Sequence, residues 1–424
     1  MHIERKNDDI VGLRDIIIVA SFIWLISYFI HMPLAYGSTW IYSDATTLLA
    51  SRGIIYSDKL LIPYRDYHFE YPPIVAIMFM ICNLVVLLIS PEKIYLRWLV
   101  AYTVMSIMLY LHAIGTIIIL HKLIRRVNRR NVHILMFFIL MPSFLIYTNY
   151  NWDLVGVFYA LLGLHLFLNN RKVLSFVMFG LAAAGKIIPA IIALAPAIQV
   201  YLDKTKELRK KRKHPEEYAP VIALLYAFMY LLLTIVVFVI LNLPFILVDF
   251  GGWYKGLILH HATWYIEDSW LILFFDLFDP RVRFVSIGLV AFFTMFTLYL
   301  LIAVDISREY RVIYGSAALM AGYLFSTYVY TPQMNLMILP FLVLVPIDYA
   351  LVFIFDTLNS LIILTWFNAT QIYRVLGIAL EGGPLNRFSI PQICAWMRCL
   401  LLLTMLIHMY YLMLKLGRKS QSVG

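Results

Sequence analysis

Cysteine is scarce in this chain, with three residues among 424. Cys82, Cys394 and Cys399 lie in apolar stretches without metal-ligand spacing, so they read as small buried hydrophobes. A disulfide-stapled or zinc-held scaffold is excluded. Charge is also sparse: 14% of residues are charged, and 24 acids face 34 bases. Low-complexity sequence and internal repeats are missing, and no polar stretch is long enough to form a separate soluble domain. Any chemistry must therefore come from loops or from polar residues at a membrane edge.

Hydrophobicity is what the chain has in abundance. Of its residues 62% are hydrophobic, and the mean hydropathy is +0.84. Apolar runs of about 17–25 residues recur from end to end, and in lipid only helices can satisfy the backbone of such runs. The expected fold is all-alpha, a single polytopic transmembrane domain over residues 1–424 in the cell membrane. The first run, Ile10–Ile30, is long for a signal-peptide core and ends on the bulky Tyr28 and Phe29, so it is expected to remain as an uncleaved span.

The net charge of +10 does not form a nucleic-acid stripe, and no nucleic-acid partner is expected. It sits in blocks between apolar runs. HKLIRRVNRR at His121–Arg130 has five bases and no acid; Asp203–Glu217 has seven bases against four acids. Lys415, Arg418 and Lys419 follow the last run. The positive-inside rule makes these blocks cytoplasmic and puts residues 31–93 and 242–281 in outer loops. By the same rule Ile74–Ser90, opened by Pro72-Pro73, is an outer juxtamembrane helix rather than a crossing. Spans are expected at Ile94–Leu120, Val132–Tyr147, Leu154–Leu168 and Ala219–Leu241. A broken pair, Val173–Gly185 and Ile187–Tyr201, meets at Lys186 and Pro189. Later spans run from Val282–Val304 through Ile313–Val329, Met334–Pro346 and Tyr349–Trp366 to Ile393–Met413. The total is about twelve, with both termini cytoplasmic.

The outer loops hold the candidate residues. Asp44 follows the first span; it reads as a general base for an acceptor hydroxyl, or as a cap on the short helix that begins there. Arg65 and Glu70 precede a Tyr-Pro-Pro turn and read as substrate contacts, unless Arg65 merely pairs with Asp66 and Glu70 only favours the helix N-terminus that follows. Trp152 and Asp153 open a span from the outer face and read either as a sugar-facing rim or as an interface aromatic beside a cap. Lys186 has no acid nearby in sequence. An uncompensated lysine at membrane depth is a functional candidate, here a phosphate ligand, with snorkelling as the alternative. His260, His261 and Asp268 lie together in the second loop; the histidines suit proton transfer or phosphate contact. Two adjacent histidines without a spaced third ligand do not make a metal site. Gln333 and Asn335 begin a later span; their amides suit sugar hydroxyls, or satisfy the broken backbone beside Pro332.

These pieces resemble the GT-C membrane glycosyltransferases that use polyprenyl-phosphate sugars, most nearly glycosyltransferase family 87. The matching segments are YSDATTLLASRGIIY, FEYPPIVAIMF, NWDLVGVFYALLG, GLAAAGKIIPAIIALAP, NLPF with HHATWYIEDSW, and TPQMNLMILPF, in order over Trp40–Phe341. The resemblance implies that a sugar, mannose on the family pattern, passes with inversion from polyprenyl or dolichyl phosphate to a hydroxyl of a glycolipid or glycan acceptor. It places the general base on Asp44 and the lysine of the family's K-x-x-P piece on Lys186. Neither a cofactor nor a nucleotide site is expected, since the donor phosphate is carried by the lipid. The rival expectation is a secondary transporter built around the break at Lys186. Against it, the second half shows no matching broken pair, and transport needs no large acidic outer loop.

Overall fold

The computed structural model describes residues 12–35, 39–127, 133–211, 218–367 and 383–421. Among them the fold is all-helical, with two isolated bridges, Pro63 to Tyr67 and Glu267 to Val329, and no strand. Helix α1 (Leu13–His31) is followed by the short α2 (Asp44–Ser51), α3 (Pro73–Ile89) and the 33-residue α4 (Ile94–Arg126). Then come α5 (His133–Ile139), α6 (Pro142–Tyr147), α7 (Asp153–Leu168), α8 (Lys172–Gly185), a 3₁₀ segment Ile188–Ala193 and α9 (Leu194–Lys211). The 30-residue α10 (Ala219–Val248) leads into α11 (Phe250–Trp253), a π-helical turn Tyr254–Leu259 and α12 (His260–Thr263). The remaining helices are α13 (Arg281–Ala303), α14 (Arg308–Ser326), α15 (Asn335–Leu342), α16 (Tyr349–Trp366) and α17 (Ile390–Gln421).

Six of the described segments are long and apolar enough to cross a membrane: α1, α4, α10, α13, α16 and the segment built on α17. In α10 only 17% of the most apolar stretch is buried by protein. A helix that is apolar all round and largely uncovered is solvated by lipid. Shorter apolar helices, α3, α7 and α8, accompany the six.

Proline accounts for several departures from the expected spans. The expected span Val132–Tyr147 is two pieces, because Pro142 cannot donate the amide that would continue α5. Met334–Pro346 shrinks to the eight-residue α15, which carries Pro340 inside. The expected break at Lys186 is present: Lys186 is extended at the end of α8, and Pro189 enters a 3₁₀ turn. α3 starts on Pro73, as the double proline predicts. The stretch 242–281 is less open than expected. Residues 250–263 form an almost continuous helical run beyond α10.

Two large apolar clusters make most of the core. The larger gathers α14, α15, α7 and their neighbours; the smaller packs α2 and α3 on the start of α4, around Trp152 and Phe79. The expected burial of the three cysteines is observed. Tyr42 and Tyr150 belong to the first cluster's side and Tyr71 and Leu257 to the second's, and all four face one cavity between them.

Candidate functional site

That cavity has a volume of about 710 Å³. It brings together Asp44, Glu70, Lys186, His260, His261, Asp268 and Gln333 from segments far apart in sequence. It also collects Tyr42, Tyr71, Tyr150, Trp264, Tyr265 and Glu267.

Asp44 is presented by the start of α2. The helix is capped by the preceding residue: Thr46 N–H donates to Ser43 Oγ at 3.4 Å. The Ser43 hydroxyl lies 3.0 and 3.1 Å from the carbonyls of Asn149 and Tyr150, and Ala45 N–H donates to the Tyr150 carbonyl at 3.0 Å. Thr46 adds a bond to the His31 carbonyl, 2.6 Å. These contacts tie α2 to the turn before α7 and leave the Asp44 carboxylate free of capping. It accepts instead from Asn151 Nδ2 at 2.8 Å, and the Tyr42 hydroxyl faces it. Burial raises the Asp44 carboxyl to about 6, the Tyr42 and Asn151 bonds and the charge of Lys186 holding it from rising further. Such a carboxylate is a competent base near neutral pH.

Lys186 is compensated, contrary to the sequence expectation. Its Nζ lies 2.8 Å from Asp153 Oδ1, an acid at the start of a different helix, and 5.8 Å from the centre of the Tyr71 ring. Gly156 and Gly185 let α7 and α8 approach closely there: a Cβ on Gly156 would meet the Cβ of Lys186 at 2.8 Å. Asp153 Oδ2 has no hydrogen-bond partner among the described residues. The ammonium thus sits at the cavity wall with a fixed counter-charge beneath it.

The histidines arrive on the helical run past α10. Gly252 and Gly256 make this possible, since a Cβ on either would collide with the backbone carbonyl of Tyr64 or Phe69. The run therefore lies directly on the 64–70 loop. His261 Nε2 is 2.8 Å from the Glu70 carbonyl, and His260 Nδ1 is 3.3 Å from His68 Nε2. Both rings titrate below the ordinary histidine range because the surrounding protein displaces solvent, and Lys186 adds to the effect at His261. Glu70 lines the cavity, but its carboxylate is held by Arg52 at 2.8 and 2.9 Å.

Opposite lies a second acidic corner. Glu267 accepts from Trp264 Nε1 at 2.7 Å, and burial raises its carboxyl above the ordinary carboxylate range. Asp268, in the left-handed region that aspartate tolerates, accepts from Gln392 Nε2 at 3.2 Å. Its carboxyl is raised well above the usual range by burial and by the neighbouring charge of Glu267. The fully buried Arg398 of α17 locks this corner. It donates to the carbonyls of Asp268 (2.7 Å) and Tyr330 (2.5 Å) and to Asn359 Oδ1, with its guanidinium 3.7 Å from the centre of the Tyr330 ring.

Four expected site residues are not on the cavity wall. Arg65 is exposed and pairs with Asp66, as the solvated-pair alternative allowed. Trp152 is fully buried against Tyr71 and Phe79, neither rim nor interface aromatic. Asp153 supports Lys186 from behind. Asn335 is buried, donating to Asp356 Oδ1 at 2.6 Å. Conversely Arg398 is a residue of this site that the sequence reading misses. Arg398 carried a usable signal, a charged residue inside an apolar run, which is the criterion applied to Lys186.

Among the described residues no group of three His, Cys, Asp or Glu side chains lies close enough together to hold a metal ion. Compared with known proteins, the chain matches no family model and no curated protein.

Proposed function

We propose that this chain is an inverting GT-C-type glycosyltransferase, moving a sugar from polyprenyl or dolichyl phosphate to a hydroxyl of a lipid-linked or cell-surface glycan. One observation carries the reading: a single cavity holds a carboxylate of near-neutral pKa together with the ammonium of Lys186, and two histidines line it beside them. Single displacement needs both. Asp44 takes the proton of the acceptor hydroxyl as its oxygen bonds to the anomeric carbon; the bond from that carbon to the phosphate oxygen breaks, and the lipid phosphate leaves with the electron pair. Lys186 faces the developing phosphate charge, and tyrosines and Gln333 contact the sugar. Mannose is the sugar proposed.

On this reading the cavity opens on the outer face, both termini are cytoplasmic, and the chain crosses the membrane about twelve times. The charge distribution supports it. Arg126 at the end of α4 and Arg308 at the start of α14 bond the end of α7 through Asn169 and Asn170, at 2.7 and 2.6 Å. α4 is about 50 Å long, so this basic end is remote from the Asp44 end.

The transporter reading has one observation in its favour. A 3₁₀ segment of the second half, Pro332–Met334, meets the cavity as Ile188–Ala193 does in the first, where no second broken piece was expected. The test is radiolabel transfer by the purified protein in liposomes, supplied with polyprenyl-phosphate mannose or glucose and mixed glycolipid acceptors. Transfer lost in Asp44→Asn supports the assignment. Vectorial uptake without transfer would replace it by the transporter.

A further inference from the structure

A second cavity, about 780 Å³, lies on the other side of α2. Its walls are aromatic, with Trp40, Tyr56 and Trp98 converging on one concavity, and Thr39, Thr47 and Ser51 supply hydroxyls among them. Trp40 and Tyr56 are 75% and 57% exposed. Aromatic residues of a membrane belt point individually towards headgroups. Here they share one pocket with small hydroxyl side chains, the combination that receives the apolar face and hydroxyl edge of a pyranose. Trp98 is pinned, donating its indole N–H to the Thr46 carbonyl at 2.9 Å.

The two cavities share a wall. Tyr42, stacked on Phe367 at 4.7 Å between ring centres, lines both. The hydroxyl of Tyr42 faces the Asp44 carboxylate on one side and Thr47 on the other. Asp44 and Thr47 are three residues apart on α2, about 4.5 Å along its axis. A glycan seated in the second cavity is thus one aromatic side chain from the base.

We propose that the second cavity is an acceptor subsite, binding a pyranose of the acceptor glycan adjacent to the sugar that is extended. This rests on the glycosyltransferase reading, and it assigns acceptor recognition to Trp40, Tyr56, Trp98 and Ser51, apart from the donor cavity. Tyr42 is the gatepost between donor and acceptor.

The test separates the subsite from the reaction. Soluble manno- and gluco-oligosaccharides are titrated into detergent-solubilised wild type, Trp40→Ala, Tyr56→Ala and the cavity-filling Ala50→Trp, following saturation-transfer NMR of the sugar protons. Acceptor and donor KM are measured for the same proteins. Thermal melting in detergent shows that each variant is folded. Loss of one stacking partner is expected to raise the sugar dissociation constant and acceptor KM about 10-fold, with donor KM within about 2-fold of wild type. Ala50→Trp should abolish oligosaccharide binding. If oligosaccharide binds wild type and is lost in the variants while no donor supports transfer, the cavity is a glycan site but the acceptor role falls together with the glycosyltransferase reading. If transfer proceeds with acceptor KM unchanged in all three variants, the subsite falls and that reading stands. Protection of Trp40 fluorescence by acyl chains but by no sugar would overturn the proposal in favour of a lipid-tail groove.

Discussion

Asp44→Asn tests the cavity independently of any substrate. The carboxyl is half-buried, with its remaining surface towards the cavity, and ionises at about 6 against an ordinary 3.8. Holding a charge that forms about two pH units late costs up to about 3 kcal/mol, less whatever cavity water returns. The sign follows from the direction. Below pH about 4 the proton is bound in folded and unfolded chains alike, and no penalty exists. Between about 4 and 6 the unfolded chain ionises first, so the folded state loses relative stability as pH rises, and the loss is complete by about pH 7. Asparagine keeps an oxygen for the Asn151 amide but never ionises. The stability of Asp44→Asn relative to wild type should therefore rise by about 2–3 kcal/mol from pH 4 to pH 7. Reversible unfolding in mixed micelles, run in parallel at several pH values, measures it. Two parallel pH curves would refute the desolvated carboxylate and with it the physical basis for a neutral-pH base. In the transfer assay the same group gives a rate that rises tenfold per pH unit below about 6 and then levels, and that falls at least 100-fold in the asparagine variant.

Because Lys186 depresses the Asp44 ionisation and Asp153 raises it, Lys186→Met should move the acid limb of the rate profile upward and Asp153→Asn should move it downward; equal midpoints would disprove the coupling. Lys186→Met strands the buried Asp153 carboxylate and should cost about 3–5 kcal/mol, Asp153→Asn leaves an ammonium that still reaches the cavity and should cost less, and the double variant should cost clearly less than the sum, as a double-mutant cycle in micelles would reveal. Gly256→Ala drives a methyl into the Phe69 carbonyl and should destabilise by about 1–3 kcal/mol or unseat the histidines, seen as altered His68–His260 proximity in paired-cysteine crosslinking. Arg398→Lys loses the fork that bonds two carbonyls and Asn359 together, so it should melt lower than wild type; an unchanged melting temperature would contradict the locked corner.

Much of the scaffold was legible in the sequence because hydrophobic run length and proline are strong, local signals. The starts of α3 at Pro73 and α7 at Asp153 and the break at Lys186 follow from a few adjacent residues. The polar pairings were less legible, since they depend on which helices meet. Nothing local couples Lys186 to Asp153, or Arg398 to Asp268. The cavity's composition was anticipated better than its geometry: Asp44, Lys186 and the two histidines converge, whereas Trp152 was consumed as packing and Arg65 by its own neighbour. The helical run 250–263 escaped because Gly251, Gly252 and Gly256 suggest a loop, while their contacts show that two of them serve close packing against another segment.

The position of Arg398 also sets an order of assembly. The carbonyls it joins belong to Asp268 and Tyr330, and the helix that carries it leaves the ribosome after every residue that lines the cavity. Until α17 inserts, the acidic corner has no cation and two buried carbonyls lack their donor. The cavity therefore matures last, and a nascent chain already holding Asp44, Lys186 and both histidines in the bilayer remains incomplete at its acidic corner. Stalling translation before Arg398 should yield an inserted but unfinished protein, one that quality control can distinguish from the mature form by an open seam between α16 and the 265–270 segment.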